Sequence, residues 1–327
     1  MIPVSITTKQ EKDNKMMQRH DVAIIGGGAA GLSAALALGR ACRTVVVFDG
    51  GQPRNNVARH MHGFLSREGI SPRKFLSIAR SQLHRYHNVQ FSNDRIQNVE
   101  VAATGFTLTA THGTPVLSNR VVLANGIRDV LPVIGNIDQF WGKSVFVCPF
   151  CDGWEFREQA IVVYGAATKA VELAKELMAW TQDIVICSSD ASILSQEQRR
   201  WLCAANVGLR EQSIERLLGE RESLHAVRLS NMDMVRCRAL FLTVPARQTC
   251  ALSKNLGCAT LQDGSLIVDE WGRTTVPGCY AAGDAATSLH QVIAAAAMGT
   301  RCAVAIVRDF TDELAARVTK GAIGATV

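Results

Sequence analysis

Of the ten cysteines in this 327-residue chain, two stand close enough to act as a pair. Cys148 and Cys151 lie in V-C-P-F-C-D-G-W-E, and Asp152 follows at once. Thiol–disulfide exchange needs a thiolate, and a C-x-x-C at a helix start favours one through the N-terminal dipole and mutual hydrogen bonding. Asp152 is placed to move the proton that the leaving thiolate requires. Zinc is not the purpose of the pair, because a structural site needs further ligands and neither a second C-x-x-C nor an H-x-x-x-H is present. The other cysteines, Cys42, Cys187, Cys203, Cys237, Cys250, Cys258, Cys279 and Cys302, lie singly in apolar surroundings, as buried reduced thiols do. That pattern argues against a secreted, disulfide-stapled fold.

A redox pair needs a group that takes or gives electrons, and the N-terminal stretch offers a place for one. From Asp21, D-V-A-I-I reads as a buried strand, G-G-G-A-A-G as a turn, L-S-A-A-L-A-L-G-R as a helix, and T-V-V-V-F-D as a second strand ending at Asp49. Gly26, Gly28 and Gly31 take the G-x-G-x-x-G positions: the tight turn, the backbone approach to a pyrophosphate, and close packing of helix on strand. The pyrophosphate is expected on the helix N-terminus beside Ala29 and Ala30, with Asp49 accepting hydrogen bonds from a ribose. This unit alone leaves FAD and NAD both open.

After Asp49, G-G-Q-P-R-N-N presents Gly50, Gln52, Arg54, Asn55 and Asn56 in a loop that either runs alongside the cofactor or is an ordinary polar loop. His62 can approach the cofactor as well, although lone histidines such as His60 and His62 are more often surface or satisfied core residues. Gly126, ending V-V-L-A-N-G, closes this first lobe and is assigned to the cofactor side.

Residues 127–142 carry Pro132, Gly135 and Gly142 without a clear period and read as a crossing to a second domain. Residues 160–177 then repeat the strand–turn–helix plan, with D-I-V-I-C-S-S-D as the second strand. Here the turn reads Gly165, Ala167, Ala170, and the methyl of Ala167 hinders a pyrophosphate. S-S-D offers no arginine to a 2′-phosphate, and Arg199 and Arg200 lie well beyond it on a predicted helix. The second unit is therefore either a weak nicotinamide site or a structural relic, and tight NADPH binding is disfavoured. A second crossing falls at A-R-Q-T-C. The closing lobe contains C-Y-A-A-G-D, residues 279–284, and a long helix over residues 290–309. Gly283 and Asp284 serve either a tight connection or a ribityl hydroxyl of a flavin.

An N-terminal G-x-G-x-x-G ending in an acid, a C-x-x-C-D opening a second Rossmann unit, and a distal A-A-G-D followed by H-Q together resemble the low-molecular-weight thioredoxin reductase family across residues 21–309. The resemblance implies an α/β fold of two Rossmann-like, three-layer domains. A discontinuous FAD domain, residues 21–127 and 248–327, would hold an inserted NAD(P)-type domain, residues 128–247, behind a polar extension at residues 1–20. It also implies a homodimer, with Asp284, His290, Gln291 and Val292 along the flavin, Cys151 nearer the isoalloxazine and Cys148 as the exchanging thiol. Three departures stand out: Ala167, the lack of an H-R-R-type basic cluster, and His290 in place of an arginine. With the C-P-F-C-D-G-W-E form of the active segment, these are similar to the dithiol oxidase branch, the gliotoxin, holomycin and romidepsin type. In that branch electrons run from a small-molecule natural-product dithiol through the cysteines to FAD, then to oxygen or NADP⁺. An NADPH-dependent disulfide reductase and a non-catalytic redox sensor are the other readings.

Composition fits a soluble two-domain protein, with 47% hydrophobic and 20% charged residues. The net charge of +6 is spread along the chain, so no basic stripe for nucleic acid is formed. The first twenty residues are polar and lack a signal-peptide core, which leads us to expect a cytoplasmic protein. The longest apolar run, residues 22–39, is broken by glycines and does not suit a membrane span.

Overall fold

The computed structural model describes residues 18–324, with side chains to residue 320. The polar extension expected at residues 1–20 lies outside the described residues up to position 17, and its last two positions already belong to the strand Arg19–Ile25. The chain is α/β and forms two compact units. One comprises residues 18–53, Leu76–Arg128 and residues 248–324; the other comprises Arg54–Phe75 and Asp129–Arg247.

In the first unit, seven strands form one sheet in the order Val89–Ser92, Val45–Phe48, Arg19–Ile25, Val116–Leu123, Gly105–Ala110, Ile96–Ala102, with Cys279–Ala281 also pairing Val116–Leu123. The four strands Val89–Ser92, Val45–Phe48, Arg19–Ile25 and Val116–Leu123 run parallel, as does Cys279–Ala281 beside the last of them. Parallel strands are buried on both faces, which is why D-V-A-I-I and V-V-V-F are continuous apolar runs and not alternations. Val22, Ile24, Val45 and Val47 face one core, where Leu32, Ala35 and Leu38 of the helix Ala29–Arg40 pack with Ala303 and Ile306. Ala23, Ile25, Val46 and Phe48 face the other, against Val99, Phe106 and Leu108. Each fully buried Val, Ile or Leu contributes roughly 1.5–3 kcal/mol, so this sheet is a rigid floor for the turns at its edge.

The last helix spans Val292–Gly324, beginning two residues later and ending well past the expected 290–309. Asp309 anchors it by accepting from Arg273 Nη2 at 2.5 Å and from the Tyr280 hydroxyl. Beyond it, residues 311–320 are exposed, so the apolar period that marks a helix in sequence is absent there.

The second unit has an all-parallel sheet in the order Gly208–Arg210, Ile184–Cys187, Ile161–Gly165, Ala239–Thr243, Val145–Phe146. Ile161, Val163, Ile184 and Ile186 pack on Ala170, Val171, Ala174 and Leu177 of the helix Ala167–Leu177. Val162, Leu240 and Leu242 face Leu217, Leu224 and Val227 of a three-stranded antiparallel sheet, Ile214–Glu220, Ser223–Leu229 and Met234–Arg236. Arg54–Phe75, which sequence order alone assigns to the first lobe, belongs to this unit. Arg54 grips Asp129 through two charge-assisted bonds of 2.8 and 2.6 Å, and Arg59 pairs with Glu222. Among the described residues, no helix is long and apolar enough to cross a membrane.

Candidate redox site

The first glycine turn is shaped as a phosphate cradle. Gly26 has φ +112°, and a Cβ there would overlap the Ala124 carbonyl oxygen, so only glycine fits. A Cβ on Gly31 would overlap the Gly26 carbonyl, which brings the helix hard against the strand end. Gly28 is the opposite case: nothing lies within 4 Å of an added Cβ. It is also the N-cap of Ala29–Arg40 and carries no side-chain cap, so the first-turn N–H groups at Ala29, Ala30 and Gly31 have no intrahelical acceptor.

Asp49 lies alongside this turn, where a Cβ on Gly27 would sit 2.5 Å from its carboxylate. The carboxylate accepts from Gly51 N at 3.1 Å and pairs with Arg80 of the helix Pro72–Leu83. Gly50 and Gln52 gather a second arginine: Arg95 Nη2 donates to Gln52 Oε1 at 2.6 Å, and a Cβ on Gly50 would meet Arg95 Nε at 2.6 Å. Arg80 and Arg95 were not singled out from the sequence; no local motif marks them.

Gly283 brings the C-terminal segment to the same edge, since a Cβ there would stand 3.0 Å from Ala30 Cβ and 3.5 Å from Ala295 Cβ. Asp284 follows it in a single 3-10 turn after the strand Cys279–Ala281. His290 and Gln291 precede the helix that starts at Val292, and Gln291 O accepts from Ala295 N at 2.9 Å. Gly126 accepts from Thr249 N at 3.3 Å. Two helix N-termini and a carboxylate thus meet at the carboxyl ends of parallel strands, where open α/β sheets bind ligands. These residues fit FAD: an open glycine and first-turn N–H donors for its pyrophosphate, Asp49 for a ribose, and Asp284 for a ribityl hydroxyl. Of the remaining expected cofactor residues, Arg54, Asn55, Asn56 and His62 lie in the second unit; the first three form one 3-10 turn, Arg54–Val57.

In the second unit, the strand Val145–Phe146 leads into Cys148, which is extended (φ −124°, ψ 108°) and caps the one-turn helix Pro149–Asp152. Pro149 suits the first helical position because its missing N–H has no intrahelical partner there. Cys151 N and Asp152 N both donate to Cys148 O at 3.3 Å. This turn sets the two Cα atoms 5.3 Å apart, and the cysteines form a disulfide. Phe150 and Trp154 beside it are exposed. Phe150 stands edge-on to Trp180 at 5.5 Å, and the Arg157 guanidinium lies 4.2 Å over Trp154.

Asp152 is pushed up to about 7, first by burial and then by the charge of Glu155, with His62 pulling the other way. A carboxyl poised there both takes and gives a proton near neutral pH. Glu155, which acts on Asp152, and Glu68, which pairs with His62, are charged residues that sequence reading missed. Glu155 stood in the quoted segment, but nothing in its spacing tied it to His62.

The second glycine turn starts like the first. Gly165 has φ +146°, and a Cβ would overlap the Thr243 hydroxyl. Ala167 then replaces the open glycine and is fully buried. Its N–H is already taken, donating to Asp190 Oδ1 at 2.9 Å. Ser188 locks this arrangement, its hydroxyl lying between Asp190 Oδ1 and Gly165 O, the latter 2.6 Å away. The Ser188 bond holds the Asp190 carboxyl below its ordinary range. Arg199 is also engaged, donating to Ala191 O at 2.7 Å and to Glu211 at 3.3 Å.

A family model for pyridine nucleotide-disulphide oxidoreductases matches residues 20–299. A probable thioredoxin reductase of Arthroderma benhamiae is 30% identical over 299 residues, 82% of this chain and 74% of that protein. The crystal structure of HlmI superposes with a TM-score of 0.88 at 34% identity, covering 94% of this chain and 97% of HlmI. A putative thioredoxin reductase, TrxB, from Bacillus anthracis gives a TM-score of 0.85 at 33% identity, covering 90% and 99%.

Proposed function

The chain belongs to the pyridine nucleotide-disulphide oxidoreductase family, and within it we propose an FAD-dependent dithiol oxidase that closes an intramolecular disulfide in a small natural-product dithiol. The observation that carries this reading is the second glycine turn. Its helix N-terminus is capped by Asp190 where a nicotinamide pyrophosphate would need the N–H. A carboxylate there also repels a 2′-phosphate. An enzyme without a good NADPH site takes its electrons from the dithiol side.

A substrate thiolate attacks Cys148 Sγ, the Cys148–Cys151 bond breaks, and Cys151 leaves as the thiolate. The second substrate thiol then attacks the substrate sulfur of the mixed disulfide, forming the product disulfide and releasing Cys148. Asp152 accepts the proton of an incoming thiol and returns one to a cysteine thiolate. Bound FAD would supply the two-electron acceptor that the reduced cysteines need, with oxygen favoured over NADP⁺ as the onward acceptor because the second glycine turn is capped. Gly28, Ala29, Ala30, Gly31, Asp49 and Asp284 would hold FAD, with Gly26, Gly50, Gln52, Gly126, Gly283, His290, Gln291 and Val292 shaping the cradle. The exposed faces of Phe150 and Trp154 suit a compact apolar substrate. We further propose a cytoplasmic homodimer.

Under air, each substrate disulfide formed should be matched by one hydrogen peroxide. Disulfide formation that stops without NADP⁺ and yields no peroxide makes the nucleotide the acceptor, and no dithiol turnover at all leaves the NADPH-dependent reductase that the relatives' names suggest.

A further inference from the structure

His62 sits between two acids, one of which, Glu155, lies in the 3-10 turn Trp154–Phe156 that follows the helical turn ending at Asp152. Its Nδ1 lies 2.5 Å from Glu68 Oε1, and its Nε2 lies 3.5 Å from Glu155 Oε1. The other oxygen of Glu68 accepts from Gly63 N at 2.8 Å, so that carboxylate is pinned on both sides. Bonding to His62 holds the Glu68 carboxyl below its usual range. An imidazole between two carboxylates has a simple requirement. Nδ1–H donates to Glu68, and the Nε2 contact is attractive only when a proton sits on Nε2 or on the facing Glu155 oxygen. That position is a transfer point for one proton. Of the three side chains, the bridging His62 is the least exposed, at 22% against 39% for Glu155 and 62% for Glu68.

We propose that His62, fixed between Glu68 and Glu155, is the positioning residue through which the proton of Asp152 reaches solvent and returns. The inference rests on Cys148 and Cys151 being the exchange centre, and it deepens the function proposed above. Each disulfide exchange delivers a thiol proton to Asp152, and a carboxyl set back from solvent must discharge before the next cycle. Glu155 and His62 are the charged groups acting on Asp152. Glu68, Glu155 and the His60 ring, 6.4 Å from its own, face His62. A loop at residues 60–69 in the same unit as the cysteines thus serves their protonation.

The test uses the FAD-loaded enzyme and dithiothreitol as the dithiol, with anaerobic flavin bleaching followed between about pH 5 and 9. His62→Ala should slow bleaching by about 10- to 100-fold, and added imidazole should restore much of the rate. Glu68→Gln, which leaves the imidazole in place but loosens it, should cause a smaller loss and a displaced pH profile. A second readout does not depend on turnover: carboxyl NMR of Asp152 should titrate near neutral pH in the parent, higher in His62→Ala and lower in Glu155→Gln. Unchanged rates and pH profiles in both variants, or an Asp152 titration indifferent to His62, overturn the proposal. A parent enzyme that no dithiol bleaches but NADPH does would end the oxidase reading alone. The Asp152 titration, and the variants' rates of reducing a disulfide with NADPH, would then decide on His62.

Discussion

The two glycine turns of this chain begin with the same residue in the same strained state and end with opposite capacities. Gly26 and Gly165 both take positive φ, and in both a Cβ would strike the neighbouring strand. Two residues on, Gly28 faces open space while Ala167 is buried, its N–H held by Asp190. The first acid, Asp49, pairs sideways with Arg80 and leaves the helix N-terminus alone; the second turns back and caps it. The first glycine of such a fingerprint is therefore demanded by folding, whereas no packing contact demands the second. A turn can keep one after losing the other.

The largest effect should come from blocking the open position. Gly28→Val places a side chain where no protein atom stands, so the fold should persist by circular dichroism. FAD affinity should fall by about 100-fold or more, on the order of 3 kcal/mol, and the protein should purify colourless. Next, Gly165→Ala should act on stability, losing roughly 2–4 kcal/mol in denaturant unfolding, because φ and the Thr243 contact both resist a methyl. Bound FAD should be unaffected. If Gly165→Ala proved harmless, the view that the first glycine serves folding would fail.

The carboxylates of the second unit sharpen the same contrast, since Asp152 is raised to about 7 and Asp190 is lowered. For Asp152 the folded state keeps its proton while the unfolded chain has already ionised. Stability should fall as pH rises from about 4 to about 7, and the slope should weaken in Asp152→Asn. Dithiol turnover in that variant should drop by about 100-fold. Asp190 has the opposite sign: its stabilising contribution is present above about pH 4 and is lost in acid, which urea midpoints of Asp190→Asn against the parent would reveal. The smallest effect is a gain. Ala167→Gly with Asp190→Ser should tighten NADPH binding by about tenfold in calorimetry. No gain would mean the site is lost for reasons beyond this cap.

Much of this was legible in the sequence because the informative groups are local. Residues 26–31, Asp49, and Cys148 to Asp152 owe their proposed roles to spacing within one turn or one strand–turn–helix unit, and two-faced burial explains the unbroken apolar strands. What escaped was set by distance along the chain. Arg80 reaches Asp49 across 31 residues, Asp190 reaches Ala167 across 23, and the grouping of Arg54–Phe75 with the cysteine unit depends on Asp129 and Glu222. The methyl at Ala167 was visible as a hindrance, but the carboxylate that completes the closure was not.

The central claim is that electrons enter from a dithiol and not from NADPH. The most direct measurement is stopped-flow absorbance of the FAD-loaded enzyme, mixed anaerobically with a small apolar dithiol in one syringe and NADPH in another. We predict rapid bleaching by the dithiol, none after Cys148→Ser, and little or none by NADPH. Prompt bleaching by NADPH with an inert response to every dithiol would contradict the account.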